Sequence, residues 1–222
     1  MTQYPYITKY LYRSDIDNTM LFNQPLEKIL TSHTVQSSSD IEYSSTSVML
    51  PQVIRIALSL LKEKQDLSMR YVIEQAVKQG FSIIQYKYND LISIVKDARL
   101  ELDFPVMSPI RNFLYDLKID VDGVTKSSRR HITIDTNILN GIRDIAHSLN
   151  IEQSSMIRLC LYFSFATSYS SSSEVIKASK KEIDSFEQCL TQQLLLLPVL
   201  VKADKDYKEF LENGIDLLNI KR

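Results

Sequence analysis

Cysteine is scarce in this chain, with two residues among 222. Two thiols cannot build the disulfide framework that stabilises small secreted domains, and one of them, Cys160, lies on an apolar helical stripe. We therefore expect a reducing environment and a fold held by its hydrophobic core. A content of 44% hydrophobic and 24% charged residues is ordinary for one large or two small globular domains.

Long apolar runs are missing too. No stretch approaches the roughly 18 consecutive apolar residues that suffice to span a membrane. The segment from Met1 to Tyr12 also lacks the apolar centre that is typical of a signal peptide. These two observations predict a cytoplasmic protein that has no membrane as a partner.

Sequence motifs for cofactors and catalysis are absent as well. The chain contains no Gly-Lys phosphate loop, no Cys-x-x-Cys pair and no His-Glu-x-x-His sequence. Its three histidines, His33, His131 and His147, do not cluster with cysteines or acids at the spacing of metal ligands. No Ser-His-Asp or Cys-His arrangement can be argued either. We predict no metal, no cofactor and no enzymatic activity.

An excess of positive charge, which would draw the whole molecule to nucleic acid, is also lacking. The formal net charge is −1 at pH 7. This near-neutral balance counts against DNA binding, although a local basic patch can be sufficient for it.

The stretch from Arg129 to Asp135 has the pattern of a short strand. Ile132 and Ile134 alternate in it with basic and polar residues, and such a period of two predicts one apolar and one polar face.

Two helices are predicted after this strand. The carboxylate of Asp135 can cap the first one, whose apolar residues form one stripe from Thr136 to Leu149. Asn150 is a candidate left-handed C-cap. The second helix is expected to start near Ser154. Neither helix is long enough to be stable alone, so the unit needs a second copy of itself.

An earlier part of the chain repeats the pattern. The segment from Val48 to Pro51 reads as a strand, and Pro51 suits the start of the helix that follows it. A polar turn from Lys62 to Asp66 and a capping residue, Ser68, precede a second helix. The first unit is predicted to end near Gly80, and Phe81 to Tyr88, which follow without strong punctuation, are candidates to extend its helix.

The two units match without a gap at a constant offset of 84 positions. An ungapped match across strand, helix, turn and helix predicts an internal duplication. The matched apolar pairs are Leu50 with Ile134, Ile54 with Ile138, Leu58 with Ile142, Leu61 with Ile145, Val72 with Met156, Ile73 with Ile157, Ala76 with Cys160 and Val77 with Leu161.

Both units resemble the ribbon-helix-helix fold of the methionine-repressor and Arc superfamily. The resemblance is carried by Val48 to Pro51 with Ser68 to Val77, and by Ile132 to Asp135 with Ser154 to Leu161. It implies a mainly α, tandem pseudo-dimer in which two strands pair antiparallel into a ribbon that four helices support. In this superfamily the ribbon lies in the major groove of DNA.

The chain is accordingly divided into an arm, two units, a connection and a helical tail. The predicted ranges are 1–43 for the arm, 44–80 and 129–167 for the units, 81–128 for the helical connection and 174–222 for the C-terminal helical region.

Several boundaries within these regions are predicted from composition. The tyrosine-rich start of the arm either packs on the core or reaches along a nucleic acid, and Thr31 to Ser47 reads as a loop. Ser168 to Ser173 reads as a hinge. A helix from Glu174 is expected to end before Pro198, and a last helix is expected to have Gly214 as its C′ residue.

The polar face of the ribbon supplies the candidate base contacts. Arginine can pair with guanine edges or phosphate, and threonine can meet a thymine methyl group. The candidates are Arg129, His131 and Thr133 on the second strand, the matching Ser45, Ser47 and Met49 on the first strand, and Lys126 and Arg130 as added positive charge.

The resemblance also implies that the start of the second helix of each unit holds a phosphate. In the first unit Ser68 can cap this helix and Arg70 adds positive charge. In the second unit the position of Ser68 is taken by Glu152, for which Ser154 and Ser155 compensate in part. The first unit thus has the better phosphate clamp and the second unit the better strand.

We expect a sequence-specific double-stranded DNA-binding protein, a transcriptional regulator such as a repressor. The resemblance also admits a plasmid partition protein or an accessory of DNA processing. The rival hypothesis is an antitoxin-like or scaffolding protein–protein module that kept the fold but lost DNA binding.

The two strands are expected to pair within one chain, Ser45 to Leu50 against Arg129 to Ile134. The connection is long enough to bring them together, and the loop-closure penalty grows only logarithmically with length. Any homodimer is then expected to form elsewhere, through the helix that contains Phe186 and Leu190.

Overall fold

The structure, a computed structural model, describes residues 25–32, 42–101, 127–149, 151–168 and 171–219. In these ranges the chain is mainly helical and has one two-stranded antiparallel sheet, as predicted. The helices are α1 (Leu26–Ser32), α2 (Gln52–Gln65), α3 (Met69–Glu101), α4 (Thr136–Ser148), α5 (Gln153–Ala166) and α6 (Ser173–Asn219), and the strands are β1 (Tyr43–Pro51) and β2 (Ser127–Asp135).

The two strands form a ribbon within the one chain, and this confirms the predicted pairing. Tyr43 lies opposite Asp135 at one end, and Pro51 lies opposite Ser127 at the other. Two apolar residues of each strand face the helices, because successive side chains of a strand point to opposite sides. These buried residues are Val48, Leu50, Ile132 and Ile134, none more than 3% exposed.

Helix α5 is the centre of the fold. All of its residues from Ser155 to Phe165 are buried, and it contacts α3, α4, α6 and β1. Tyr88 of α3, Phe163 of α5 and Phe186 of α6 pack edge-to-face, with ring centroids 5.3 to 6.1 Å apart. The Tyr88 hydroxyl donates to a carboxylate oxygen of Glu187, and burial raises the pKa of Tyr88.

The helix starts follow local chemistry. The carboxylate of Asp135 accepts from the Asn137 amide at 2.8 Å, so the predicted cap of α4 is present. The Ser68 hydroxyl accepts from the Tyr71 amide at 3.2 Å at the start of α3. Pro51 is both the last residue of β1 and the N-cap of α2, which begins one residue later at Gln52.

Two loop predictions in the first half of the chain are partly wrong. The predicted loop from Thr31 to Ser47 overlaps two elements. Thr31 and Ser32 are the last residues of α1, and Tyr43 to Ser47 belong to β1. The polar residues of β1 suit a strand whose outer face is exposed, once pairing with β2 satisfies its backbone. A polar turn was expected from Lys62 to Asp66. Helix α2 instead continues to Gln65, and Asp66 ends it in the left-handed conformation at φ 50°.

Helix α3 passes Gly80, near which the first unit was predicted to end, and continues as one helix of 33 residues that includes the candidate extension from Phe81 to Tyr88. Close packing explains why a glycine stands at position 80. A Cβ atom at this position would lie 1.8 Å from the carbonyl oxygen of Cys160, so the glycine lets α3 approach the backbone of α5. The predicted border between the first unit and the connection therefore falls inside a helix.

The expected helix ends in the C-terminal region are also wrong. Helix α6 runs through Pro198 and Gly214 over 47 residues. A proline removes one intrahelical hydrogen bond and can kink a helix without ending it. Among the described residues no glycine has a positive φ, so Gly214 is not a left-handed cap.

Two residues of the helix that was expected to form a dimer pack inside the chain. Phe186 is 0% exposed and Leu190 is 2% exposed, because the helix packs on α3 and α5. These two residues are therefore not available to a second copy, and a dimer through another face of the helix stays a prediction.

Several predictions lie outside the described residues. They concern the tyrosine-rich arm, the C-cap Asn150, Lys126 and most of the connection between α3 and β2. Within the described ranges, no helix has the length and apolar character that crossing a membrane requires.

Candidate nucleic-acid interface

The outer face of the ribbon carries the six candidate base-contacting residues. They stand in three cross-strand pairs, Ser45 with Thr133, Ser47 with His131, and Met49 with Arg129. All are exposed except Thr133, which is half-buried. The structure thus brings together side chains that are distant in the sequence, since Ser47 and His131 are separated by 84 positions and Ser45 and Thr133 by 88.

Side-chain contacts across the strands order the centre of this face. The Ser47 hydroxyl lies 3.0 Å from Nδ1 of His131, and the hydroxyls of Ser45 and Thr133 are 3.4 Å apart. The Arg129 guanidinium has its donors in a planar fork, which matches the acceptors of a guanine edge. The face therefore offers both donors and acceptors to base edges.

The start of α3 lies near the Tyr43 end of the ribbon. The guanidinium carbon of Arg70 stands 4.7 Å from the centroid of the Tyr43 ring, in cation–π contact. The Glu74 carboxylate, with burial as the second cause, raises the pKa of Tyr43. Burial raises the pKa of Glu74 itself, against the opposing effect of Arg70. The Arg70 side chain is exposed and is held at the end of the ribbon by this contact.

The start of α5 has different chemistry. Glu152 occupies the N-cap and makes no side-chain capping hydrogen bond. The Ser154 hydroxyl donates to the Glu152 carboxylate at 3.5 Å. The Ser155 hydroxyl is buried and accepts from the Arg158 guanidinium at 2.9 Å, while the same guanidinium donates to the Met49 carbonyl at 3.4 Å. Both serine hydroxyls at this helix start therefore have protein partners.

A groove of about 310 Å³ lies between β2, α2 and the start of α3. Its apolar lining includes Leu50, Leu58 and Ile132, and three of its six polar residues are arginines. The groove is lined by Arg55, Arg70, Arg130 and His131, among other residues. Arg130 alternates with the outward residues of β2, so its side chain stands on the groove side of the ribbon.

Arg55 is a candidate that the sequence reading missed. It lies half-buried on α2, and its Nε is buried and has no hydrogen-bond partner among the described residues. The only signal in the sequence is a single cation within the apolar stretch from Val53 to Ala57. That pattern does not tell which helix or strand will face the arginine.

One predicted site residue has no described position. Lys126 lies outside the described residues. Among the residues that are described, no group of three or more His, Cys, Asp or Glu side chains could hold a metal ion.

Comparison with known proteins yields no relative: no family model, no curated protein and no solved structure matches the chain.

Proposed function

We propose that the chain is a tandem ribbon-helix-helix protein that binds double-stranded DNA in a sequence-specific manner, as a regulator of transcription. The observation that carries the proposal is the outer face of the ribbon, on which the exposed Arg129 and His131 stand among short polar side chains. The major groove admits a two-stranded ribbon, and the base edges lie within reach of such side chains.

The spacing of the elements supports the duplicated architecture. The strands β1 and β2, the helices α2 and α4, and the helices α3 and α5 each begin 84 positions apart. This is the offset of the apolar match in the sequence. Each strand is followed by two helices, as a pseudo-dimer of two such units requires.

The centre of the ribbon supports the same architecture. In a ribbon with twofold symmetry, the residue on the axis pairs with its own counterpart. Ser47 and His131 lie directly opposite each other, and they are separated by the repeat offset of 84 positions. Register and repeat therefore agree on one pseudo-twofold axis.

The two strands differ in chemistry, and this favours an asymmetric DNA target. The outer face of β2 has Arg129, His131 and Thr133, whereas β1 has Ser45, Ser47 and Met49 there. A donor-rich strand and a nearly neutral strand cannot read identical half-sites. We expect the preferred site not to be a palindrome.

The rival function is a protein–protein module that kept this fold. The net charge of −1 and the acidic Glu152 at the start of α5 favour it. Salt dependence separates the two functions, because contacts to phosphates release counterions and make the affinity fall with salt concentration. A purely protein-binding module has no salt-dependent affinity for duplex DNA.

Replacing Arg129 with alanine tests the reading face. After selection of a preferred site from random duplex DNA, Arg129→Ala should weaken binding to that site by roughly 10- to 100-fold and relax the preference, because a bidentate base contact is lost. Arg70→Ala should weaken all duplexes alike and lower the salt slope. The measurement is a binding titration at several salt concentrations.

Lys96→Ala is the matched control for charge. Lys96 is exposed on the same helix as Arg70, and 26 residues of helix place it roughly 39 Å away. It should bind like the parent. If Arg129→Ala and Arg70→Ala also bind like the parent, the ribbon is not the reading surface.

A disulfide across the ribbon tests whether each chain completes its own ribbon. Ser45→Cys and Thr133→Cys are placed in a background that lacks Cys160 and Cys189, at positions whose hydroxyls face each other. Oxidation at low protein concentration should give an internally bridged monomer, detected by non-reducing electrophoresis. A covalent dimer as the main product would show that strands are exchanged between chains.

A further inference from the structure

The groove between β2, α2 and α3 combines apolar walls with positive charge. Four of its apolar residues, Leu50, Leu58, Ile73 and Ile132, are at most 7% exposed. Of the eleven described residues that line it, three are arginines and none is acidic. Sites for small molecules are typically concave and mostly apolar, with a few polar groups that fix the orientation of the ligand. The lining therefore suits a ligand that has both an apolar body and a negative charge.

The size of the groove limits this ligand to a small molecule. Its volume of about 310 Å³ is near the lower end of the roughly 300–1,000 Å³ that is usual for ligand pockets. The same volume of liquid holds about ten water molecules, so a ligand of about ten non-hydrogen atoms fits. A phosphate of the DNA backbone brings no apolar group to cover Leu58 or Ile73. Contact with DNA alone therefore does not explain the apolar lining.

Arg55 and Arg130 are the residues that we assign to the negative charge, because Arg70 is already held against the Tyr43 ring at 4.7 Å. Nε of Arg55 is buried and has no hydrogen-bond partner among the described residues, which is unfavourable until an acceptor reaches it. A rotation that turns Nε and a terminal nitrogen toward the groove offers two parallel donors, which match the two oxygens of a carboxylate. Arg130 is exposed on β2, on another wall of the groove.

The groove shares residues with the outer face of the ribbon. His131 and Thr133, two of the candidate base-contacting residues, also line it. A negative charge beside them repels DNA phosphates and offsets the positive charge of the arginines. Occupation of the groove should therefore lower the affinity for DNA.

We propose that the groove lined by Arg55 and Arg130 binds a small carboxylate with an apolar body, and that the bound carboxylate lowers the affinity of the protein for DNA. The first half stands without the proposed function, whereas the second half rests on it. The carboxylate contacts the two arginines, and the apolar body covers Leu58 and Ile73. The ligand acts as an effector that releases the protein from its DNA site.

Calorimetric titration of the full chain with hexanoate tests the ligand chemistry. Acetate has the same charge and a shorter chain, and 1-hexanol has the same chain length and no charge. Because each buried methylene strengthens binding about fourfold, hexanoate should bind at least about tenfold more tightly than acetate. It should also bind at least about tenfold more tightly than 1-hexanol, which lacks the charge-assisted hydrogen bonds.

Three outcomes of these titrations would overturn the proposal. Equal affinities for hexanoate and acetate would exclude the apolar contact. Equal affinities for hexanoate and 1-hexanol would exclude the arginine contact. The third outcome is the absence of saturable binding at millimolar concentration both for hexanoate and for 3-phenylpropanoate, whose apolar body is aromatic.

Substitution of the arginines tests the two assigned residues. Arg55→Met keeps much of the bulk of the side chain and should weaken hexanoate at least about tenfold without changing the affinity for 1-hexanol. Arg130→Met changes an exposed position that does not depend on core packing, and it should show the same loss even if Arg55→Met does not fold.

Arg143→Met is the matched control for the loss of one guanidinium. Arg143 is exposed on α4, donates to the Asn140 side chain at 3.1 Å and does not line the groove. This variant should bind hexanoate like the parent. A loss as large as that of Arg130→Met would show a general effect of charge and refute the assigned site.

Methyl signals in NMR spectra test the location. Hexanoate should shift the methyl signals of Ile73 and Ile132, which line the groove, and leave that of Ile142, which is 0% exposed on α4, in place. Shifts that leave out Ile73 and Ile132 would place the ligand elsewhere and refute the proposal.

The effect on DNA is measured with a duplex of a selected site. Saturating hexanoate should weaken duplex binding at least about fivefold relative to sodium chloride at equal ionic strength, and it should have no effect on Arg55→Met. Binding of hexanoate with unchanged duplex affinity would refute the second half of the proposal alone. Binding of hexanoate without binding of any duplex would refute the proposed function and leave the ligand site standing.

Discussion

Replacing Gly80 with alanine is expected to destabilise the folded chain by about 3 kcal/mol, at the upper end of overpacking effects. The new Cβ would meet backbone atoms of Cys160, the carbonyl oxygen at 1.8 Å and the carbonyl carbon at 2.4 Å. Backbone cannot rotate away as a side chain can, so α3 and α5 must separate along the centre of the core. Alanine is the better helix former by about 1 kcal/mol, which offsets only part of this loss.

Gly141→Ala is the matched control. Its Cβ would meet Cζ of Phe81 at 2.6 Å, and this is the far end of a side chain that can move. Denaturant unfolding followed by circular dichroism should show a clearly smaller loss than for Gly80→Ala. A Gly80→Ala midpoint at or above that of the parent would mean that α3 and α5 do not approach each other at Gly80.

Ile142→Ala should lower the free energy of unfolding by about 2–5 kcal/mol. Ile142 is 0% exposed on α4, below Ile134 of the ribbon, which is also 0% exposed. The substitution removes buried apolar contacts and leaves a cavity that the surrounding helices fill only in part. The midpoint and the slope of a urea unfolding curve give the change.

Ile56→Ala is the control for this face, because Ile56 on α2 is 50% exposed. Its substitution should change stability by no more than about 0.5 kcal/mol. Equal midpoints for Ile142→Ala and the parent would rule out the assigned buried face of α4.

The outer face of the ribbon was accessible from the sequence because a strand has a period of two. Once Ile132 and Ile134 were assigned to the core, Arg129 and His131 had to face outward. The constant offset between the units then indicated the partner strand. The cap at Asp135 was predictable for a similar reason, since it depends on an amide only two residues away.

The groove was not accessible in this way. Arg55 and Arg130 are 75 positions apart and line the same groove only because the fold places α2 and β2 on its walls. An arginine in an apolar helix has no local pattern that names its neighbours. Tertiary packing decides which charged side chains line the same groove.

The helix ends show the same division. By its periodicities of two and 3.6 residues, the sequence alone predicted β2, the part of β1 from Val48 to Pro51, and the buried faces of α2, α4 and α5. Only the tertiary structure explains the glycine at position 80 of α3, because a side chain there would collide with the Cys160 backbone on another helix. The tertiary structure also decided that Phe186 and Leu190 are buried in the core of this chain. Local patterns report which face of an element is apolar, whereas the surface that covers the face is chosen by the packing of distant segments.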